Sequence, residues 1–362
     1  MIKFVHAADL HLDSPFQSLP PEKATALRQE QRTLVEELIS LCNTQQADLL
    51  LLGGDLFDSA GVLRQTVEGL QRAFAGCRAQ IFIAPGNHDF VAPGSPWLRE
   101  GWPENVHIFL DSAISAVDLP DLGCRVYGAA FTATNCPALL ENFRVADASL
   151  CNIMVLHGDA QQSNSPYNPI STAQIAQSGL DYLALGHIHS YSGALRAGTT
   201  TYAWPGCTMG RGFDETGEKG VICGTLDNGQ CSIRFLPLAK RHYVIASVPV
   251  GDDPLQSVVA QLPANTQTDC YRILLTGEAD SLDLRALRQA LEPRFFSLDL
   301  RDETTPSVDL WANCGENSLE GLFLQSLMDE LDKTTDDTQR RLLQQAARLG
   351  LDLLEGREVL MP

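Results

Sequence analysis

Five short polar motifs in this chain carry side chains suited to metal and phosphate chemistry. They are Asp9-Leu10-His11, Gly54-Asp55-Leu56-Phe57-Asp58, Gly86-Asn87-His88-Asp89, His157-Gly158 and Gly186-His187-Ile188-His189. Each stands at the end of an apolar run, where a rigid sheet can deliver a side chain into a loop-lined cleft. Asp9 and His11 are two apart, as are His187 and His189, so in extended backbone each pair points to one side. Asn87 and His88 are adjacent and diverge, which suggests different tasks. Glycines at 54, 86, 158 and 186 let the backbone turn sharply beside a crowded centre. A lone DxH or GNHD is mostly coincidence, and a single histidine at a strand end is usually a hydrogen-bonded structural residue. Five such motifs in order, using five of the eight histidines, form a joint signal. Mixed Asp, Asn and imidazole donors suit Mn²⁺, Fe, Co or Zn²⁺ rather than calcium or a thiolate-loving ion.

The elements that must position these motifs follow from the apolar runs. Strand-length runs at 2–7, 48–52, 79–84, 106–110, 125–129, 152–156 and 181–185 are interspersed with helical patterns at 22–42 and 62–74. Continuous rather than alternating apolar character points to strands covered on both faces. From about residue 195 the pattern becomes hairpin-like, with 221–226 and 231–236 joined by Asp227-Asn228-Gly229. An α/β fold, a four-layer α/β/β/α sandwich, accommodates these runs. Three segments are expected: a catalytic domain at 1–240, a small α/β capping domain at 241–315 and a C-terminal helical tail at 316–362. In the tail, leucines recur at helical spacing over 319–331 and 338–354. Such stripes ordinarily pack on the parent domain or on each other.

A chain of 362 residues with 44% hydrophobic and 20% charged residues is ordinary for a globular protein with a substantial core. No stretch approaches the ~20 apolar residues of a membrane helix. The N-terminus reads as a first strand rather than a secretory signal, so a cytoplasmic protein without membrane association is expected. The ten cysteines are scattered without metal-binding spacing and read as small buried apolar residues. The formal net charge is −19, which runs against nucleic-acid binding. Residues 1–240 carry 15 Lys and Arg against 24 Asp and Glu, and residues 241–362 carry 11 against 21. The acidity is therefore denser away from the five motifs, and weak DNA affinity is expected of this chain alone.

The ordered motif set resembles the calcineurin-like metallophosphoesterases. DLHLDSPF at 9–16, GGDLFD at 53–58 and APGNHD at 84–89 are similar to its DNA-repair exonuclease branch, the SbcD-like proteins. WPGCTMGRGFDETGEKG at 204–220 and LGLDLLEGREV at 349–359 resemble the YhaO-like subgroup, and the likeness covers nearly the whole chain. The resemblance implies one ion held by Asp9, His11, Asp55 and His189, and a second held by Asp55, Asn87, His157 and His187. Two ions roughly 3.5–4 Å apart can polarise phosphoryl oxygens and activate water for in-line attack. The resemblance also implies Mn²⁺ as the metal. It leaves His88 to steady the phosphoryl group and protonate the departing 3′ oxygen. Asp58 matches the acid that orients that imidazole, and a carboxylate hydrogen bond would raise its pKa; the alternative for Asp58 is a helix N-cap. Asp89 is expected only to cap or brace its turn. Arg211 and Lys219 either hold phosphates or are solvated surface, and residues 158–170 could line a substrate groove. His6, His107 and His242 read as structural or exposed.

The function so implied is a metal-dependent DNA nuclease, a 3′→5′ exonuclease with single-strand endonuclease activity, acting in DNA repair. Its expected partner is an SMC-like ATPase of the SbcC/YhaN type, gripped by the C-terminal helices and supplying the basic DNA surface this chain lacks. A homodimer is also open. The alternatives are a phosphodiesterase for small substrates such as cyclic nucleotides, and a scaffold that has lost catalysis. The extra domain and tail favour the nuclease, and the complete ligand set disfavours the scaffold.

Overall fold

The structure, a computed structural model, describes residues 1–59, 61–279, 282–305 and 310–354. The chain divides into two compact units, Met1–His242 and Tyr243–Pro362, so the expected capping domain and tail fall together in the second.

The first unit begins with β1 (Ile2–Ala7), α1 (Pro21–Gln45), β2 (Leu49–Leu52), α2 (Arg64–Ala75), β3 (Gln80–Ile83) and β4 (Val106–Ile108). It continues through β5 (Ser115–Leu119), β6 (Cys124–Gly128), β7 (Cys151–His157), α3 (Thr172–Ser178), β8 (Tyr182–Gly186), β9 (Leu195–Ala197) and β10 (Thr200–Ala203). The hairpin β11 (Gly220–Asp227) and β12 (Gln230–Pro237) completes it. One six-stranded sheet has the order β12-β11-β1-β2-β3-β4, the other β5-β6-β7-β8-β10-β9.

The four leucines of β2 show why the apolar runs are continuous. Leu50 and Leu52 pack with Val35 and Leu38 of α1 and Val67 and Leu70 of α2. Leu49 and Leu51 pack with Val126, Ile153, Val155 and Tyr182 of the other sheet. The far face of that sheet, through Met154, Leu156, Leu183 and Leu185, is covered by Ile175 of α3. Helices, sheet, sheet and helix are thus stacked as the expected four-layer α/β/β/α sandwich. The spacing of apolar residues did not announce α3 or β5, and set no bounds for β9 and β10, which form an antiparallel hairpin within the hairpin-like region expected from residue 195. The helix carries a capping box, Ser171 with Gln174, but the three residues of β9 are too few to show a period.

Strands β1 to β4 run parallel, as do β6, β7, β8 and β10. Loops that follow parallel strands gather at one end of a sheet, the usual place for a site in open α/β folds. All five motifs occupy such loops or strand ends.

In the second unit, β13 (Tyr243–Pro249), β14 (Cys270–Thr276) and β15 (Ser297–Asp302) form a parallel sheet in sequence order. The crossovers are α4 (Pro254–Gln261) and α5 (Leu284–Leu291), and Val248, Val258, Ile273, Leu275, Leu287 and Leu291 form the core. In α6 (Leu319–Leu331) and α7 (Asp337–Leu354), Leu324, Leu331 and Ala347 are buried, while Leu319, Leu322, Leu342 and Leu353 are exposed. Arg348 ties α7 to the end of β15 through Thr304 Oγ1 at 2.8 Å. Residues 355–359 of the 349–359 motif lie outside the described residues. Among the described residues no helix is long and apolar enough to cross a membrane.

Candidate metal centre

The loops after β1 and β2 run side by side. The Asp9, His11 and Leu12 N–H groups donate to the carbonyls of Gly54, Asp55 and Leu56 at 3.0, 2.9 and 2.8 Å. Asp9, His11 and Asp55 hold left-handed backbone angles, φ 53°, 45° and 52°, and His187 lies at φ 101°. These pairs therefore do not converge through the extended spacing expected of them; a coiled main chain aims each side chain separately. Such angles cost roughly 1–3 kcal/mol each and persist only where surrounding bonds impose them. Asp89 supplies much of that constraint. Its buried carboxylate accepts the N–H groups of Gly86 at 2.7 Å and Leu56 at 2.8 Å. It also accepts those of Asp55 and Phe57, both at 3.3 Å. Gly86 has to be glycine, since a Cβ there would lie 2.3 Å from Asp55 Oδ1.

Within this frame two clusters of acceptor atoms form. In one, His11 Nε2 lies 3.3 Å from His189 Nε2 and 3.9 Å from Asp55 Oδ2, and His189 Nε2 lies 3.8 Å from Asp9 Oδ1. In the other, His157 Nε2 lies 3.3 Å from Asp55 Oδ2 and 2.9 Å from Asn87 Oδ1. His187 packs edge-on against His157, ring centroids 5.2 Å apart, and its main-chain N–H donates to both Asp9 oxygens at 3.1 Å. Asp55 belongs to both clusters. The outer ring nitrogens set the tautomers. His157 Nδ1 is 2.8 Å from the Gly53 carbonyl, and His189 Nδ1 is 2.7 Å from Glu215 Oε1. The carbonyl and the carboxylate can only accept, and Glu215 lies closer to His189 Nδ1 than Arg211 Nη2 does at 3.2 Å, so in the neutral rings each Nε2 presents a lone pair to further acceptors. Lone pairs converging on carboxylate and amide oxygens repel unless a cation sits among them. The donor set therefore fits divalent metal ions, and among the described residues no cysteine sulfur joins the grouped donor atoms.

The electrostatics point the same way. Burial pushes the Asp55 carboxyl up, but the imidazoles of His157, His11 and His88 outweigh it and hold Asp55 below the ordinary carboxylate range. Burial pulls His157 down, yet the Asp55 charge and hydrogen bond raise it to about 9, a proton answering the same demand for positive charge. For Asp89, burial and the Asp55 charge push the carboxyl up to about 7, against amide donors that favour the ionised form.

His88 is exposed beside these clusters, its ring edge-on to His11 at 4.8 Å between centroids. The group that orients it differs from expectation: His88 Nδ1 lies 2.9 Å from the main-chain carbonyl of Asp58, not its carboxylate. That carboxylate is drawn away to Ser14 Oγ at 3.0 Å, Arg211 Nη1 at 3.0 Å and His11 Nδ1 at 3.3 Å. Nor does Asp58 cap α2. The first turn there is bonded to Asp13, which accepts the Leu63 N–H at 3.0 Å and the Thr66 hydroxyl at 2.9 Å.

Arg211 and Lys219 are neither solvated surface nor free phosphate ligands. Arg211 bridges Asp58 and Glu215, and the buried Lys219 donates to the His189 carbonyl at 3.0 Å. Residues 158–170 are pinned at both ends. Asn168 Nδ2 donates to the His157 carbonyl at 2.9 Å, and the Tyr167 ring lies 4.9 Å from His187, leaving 161–164 exposed. His6 is buried between Tyr182 Oη and the Leu185 carbonyl, and His107 packs between Phe82 and Phe109, both structural. Glu215 was not singled out from sequence, although the 204–220 segment containing it was. Burial pushes its carboxyl up, but His189 and Arg211 outweigh it and hold Glu215 well below the usual range.

Comparison with known proteins agrees with this geometry. The profile of the calcineurin-like phosphoesterases matches residues 2–191, which contain all five motifs. The chain is 32% identical over 349 residues to a protein described as the uncharacterized metallophosphoesterase YhaO of Bacillus subtilis (strain 168), covering 85% of this chain and 83% of that one. A shorter likeness, 27% over 128 residues, links it to the SbcD component of the SbcCD nuclease of Staphylococcus epidermidis, covering 33% and 31% of the two chains. Every acceptor of the two clusters falls within the matched segment, and the chain belongs to the calcineurin-like phosphoesterase family of phosphoester hydrolases.

Proposed function

We propose that this metallophosphoesterase is a DNA nuclease, a 3′→5′ exonuclease that also cuts single strands internally, acting in DNA repair in the cytoplasm. The observation that supports it most is the placement of His88, exposed beside the two acceptor clusters with one ring nitrogen anchored. Asp9, His11, Asp55 and His189 would hold one divalent ion, and Asp55, Asn87, His157 and His187 the other, Mn²⁺ being the proposed metal. Metal bound there would supply polarisation of the phosphoryl oxygens and a more nucleophilic water at neutral pH. The chain's own residues then divide the remaining work. The Asp58 carbonyl can only accept, so a protonated His88 donates Nδ1–H there and has Nε2–H to give to a departing alkoxide. Asp89 ties the strained Asp55 loop to the loop that carries Asn87, so the acceptors are in place before substrate arrives.

Two features favour DNA over a small diester: the local likeness to a nuclease component, and a second unit that a compact phosphodiesterase does not need. The acidity of the chain makes tight DNA binding by it alone unfavourable, so we assign substrate holding to an SMC-like ATPase docked on the exposed leucines of α6 and α7. The test is parallel hydrolysis of labelled duplex DNA, single-stranded DNA and bis-p-nitrophenyl phosphate, with Mn²⁺ and with chelator. Mn²⁺-dependent loss of nucleotides from 3′ ends is expected. Cleavage of the chromogenic diester but not of DNA would support the small-substrate alternative, and no hydrolysis at all would support the scaffold.

A further inference from the structure

The two acceptor clusters are backed differently. His157, in one, is anchored by a main-chain carbonyl, that of Gly53 at 2.8 Å. His189, in the other, is anchored by a side chain 26 residues further on, Glu215 Oε1 at 2.7 Å. Glu215 is almost wholly buried, at 5% exposure, and its oxygens are fully engaged. Oε2 accepts the Arg211 main-chain N–H at 2.8 Å, and Oε1 accepts Arg211 Nη2 at 2.7 Å. The same guanidinium reaches Asp58 Oδ1 at 3.0 Å, and Asp58 Oδ1 lies 3.3 Å from the outer nitrogen of His11. One arginine thus clamps the two carboxylates behind the two imidazoles whose Nε2 atoms face each other at 3.3 Å.

From this asymmetry we propose that Glu215, held by Arg211, is a positioning residue for one cation position only, the one bounded by Asp9, His11, Asp55 and His189. Glu215 keeps His189 as the Nδ1–H tautomer with its Nε2 lone pair directed inward. The position bounded by Asn87, His157 and His187 is oriented without Glu215 or Arg211: His157 rests on the Gly53 carbonyl, His187 packs on Tyr167, and Trp204 Nε1 holds the Gly158 and Gly186 carbonyls at 3.1 Å. The two ions are therefore separable by a change that removes no ligand. Outer hydrogen bonds of this kind typically change metal affinity 10- to 100-fold.

The inference rests on the reading of the site as a two-metal centre, and the experiment separates the two. Metal-stripped protein and its Glu215→Gln variant are titrated with Mn²⁺ by calorimetry, and the loaded forms are examined by electron paramagnetic resonance. The wild type should take two ions and show the broadened spectrum of a spin-coupled pair. Glu215→Gln should weaken one binding step by about 10- to 100-fold and leave the other within about two-fold. At intermediate Mn²⁺ the variant should show the hyperfine pattern of an isolated ion. A wild type that binds no specific Mn²⁺ removes the metal-centre reading itself. A wild type with two ions and a variant that either keeps both affinities or loses both equally overturns this inference alone. Should Glu215→Gln fail to fold, Arg211→Lys keeps the positive charge while losing the fork that spans both carboxylates. It is expected to weaken the same single step, and unchanged or equal weakening overturns the inference in the same way.

Discussion

Replacing Asp89 tests whether the metal centre is held in form by its own loops. Four main-chain N–H groups, from Gly86, Leu56, Asp55 and Phe57, converge on the two carboxylate oxygens of Asp89, a residue 1% exposed. Two of the bonds are short, 2.7 and 2.8 Å, and two are 3.3 Å. Hydrogen bonds to a charged acceptor contribute about 1.5–3 kcal/mol each, and orphaning a buried donor costs about 1–3 kcal/mol. The long pair counts for less, so Asp89→Ala should cost about 4–5 kcal/mol, at the extreme of single substitutions. Asp89→Asn keeps one acceptor oxygen but turns an NH₂ toward two amide N–H groups, and about 2–3 kcal/mol is expected. With a urea m-value of about 3 kcal/mol per molar, the Asn variant's midpoint should fall by about 1 M. Tryptophan fluorescence is a suitable readout, because Trp97, Trp102 and Trp204 lie in the first unit and Trp97 Nε1 donates to the Asp89 carbonyl at 2.6 Å. The strained Asp55 loop should relax at the same time, so Mn²⁺ affinity should fall with stability. An Asn variant with an unchanged urea midpoint and normal metal content would refute the bracing role. Normal stability with lost hydrolysis would instead mean that Asp89 acts on the substrate.

Three further outcomes are expected. Asp55→Asn, altering the carboxylate shared by both clusters, should reduce hydrolysis more than Asn87→Ala, which touches one, and metal analysis should show a larger loss of Mn²⁺. His88→Gln should lower hydrolysis of DNA by about 10²- to 10⁴-fold with metal content unchanged, the loss typical of a missing general acid. The deficit should shrink for a nitrophenolate leaving group that needs no proton, and an equal deficit for both substrates would leave His88 only a positioning role. Leu322→Ser combined with Leu342→Ser, at sites 61% and 60% exposed, should leave folding and small-diester hydrolysis intact, since exposed substitutions usually cost under about 0.5 kcal/mol. Co-purification with an SMC-like ATPase should be lost, and retention of the complex would move docking away from these helices.

The layered sheets and the roster of acceptors were legible in the sequence because each depends on local chemistry. A run such as Leu49–Leu52 admits only a strand covered on both faces, and the structure buries all four side chains completely. His and Asp at the ends of such strands had to gather where parallel strands end. What orients those side chains was not legible. Left-handed angles at Asp9, His11 and Asp55, rather than extended spacing, aim the acceptors; Asp89, 34 residues away, braces the Asp55 loop, and that loop's carbonyls hold the N–H groups of Asp9 and His11. The Asp58 carbonyl takes the role expected of its carboxylate because Arg211, 153 residues away, claims the carboxylate. Glu215 reaches His189 because the 204–215 segment passes beside β1, with Cys207 bridged to Ala8. Sequence periodicity reports which face of an element is buried, a property each residue shares with its near neighbours. The partner of a single ring nitrogen or carboxylate oxygen is set by contacts between distant segments, and only the packed chain decides it.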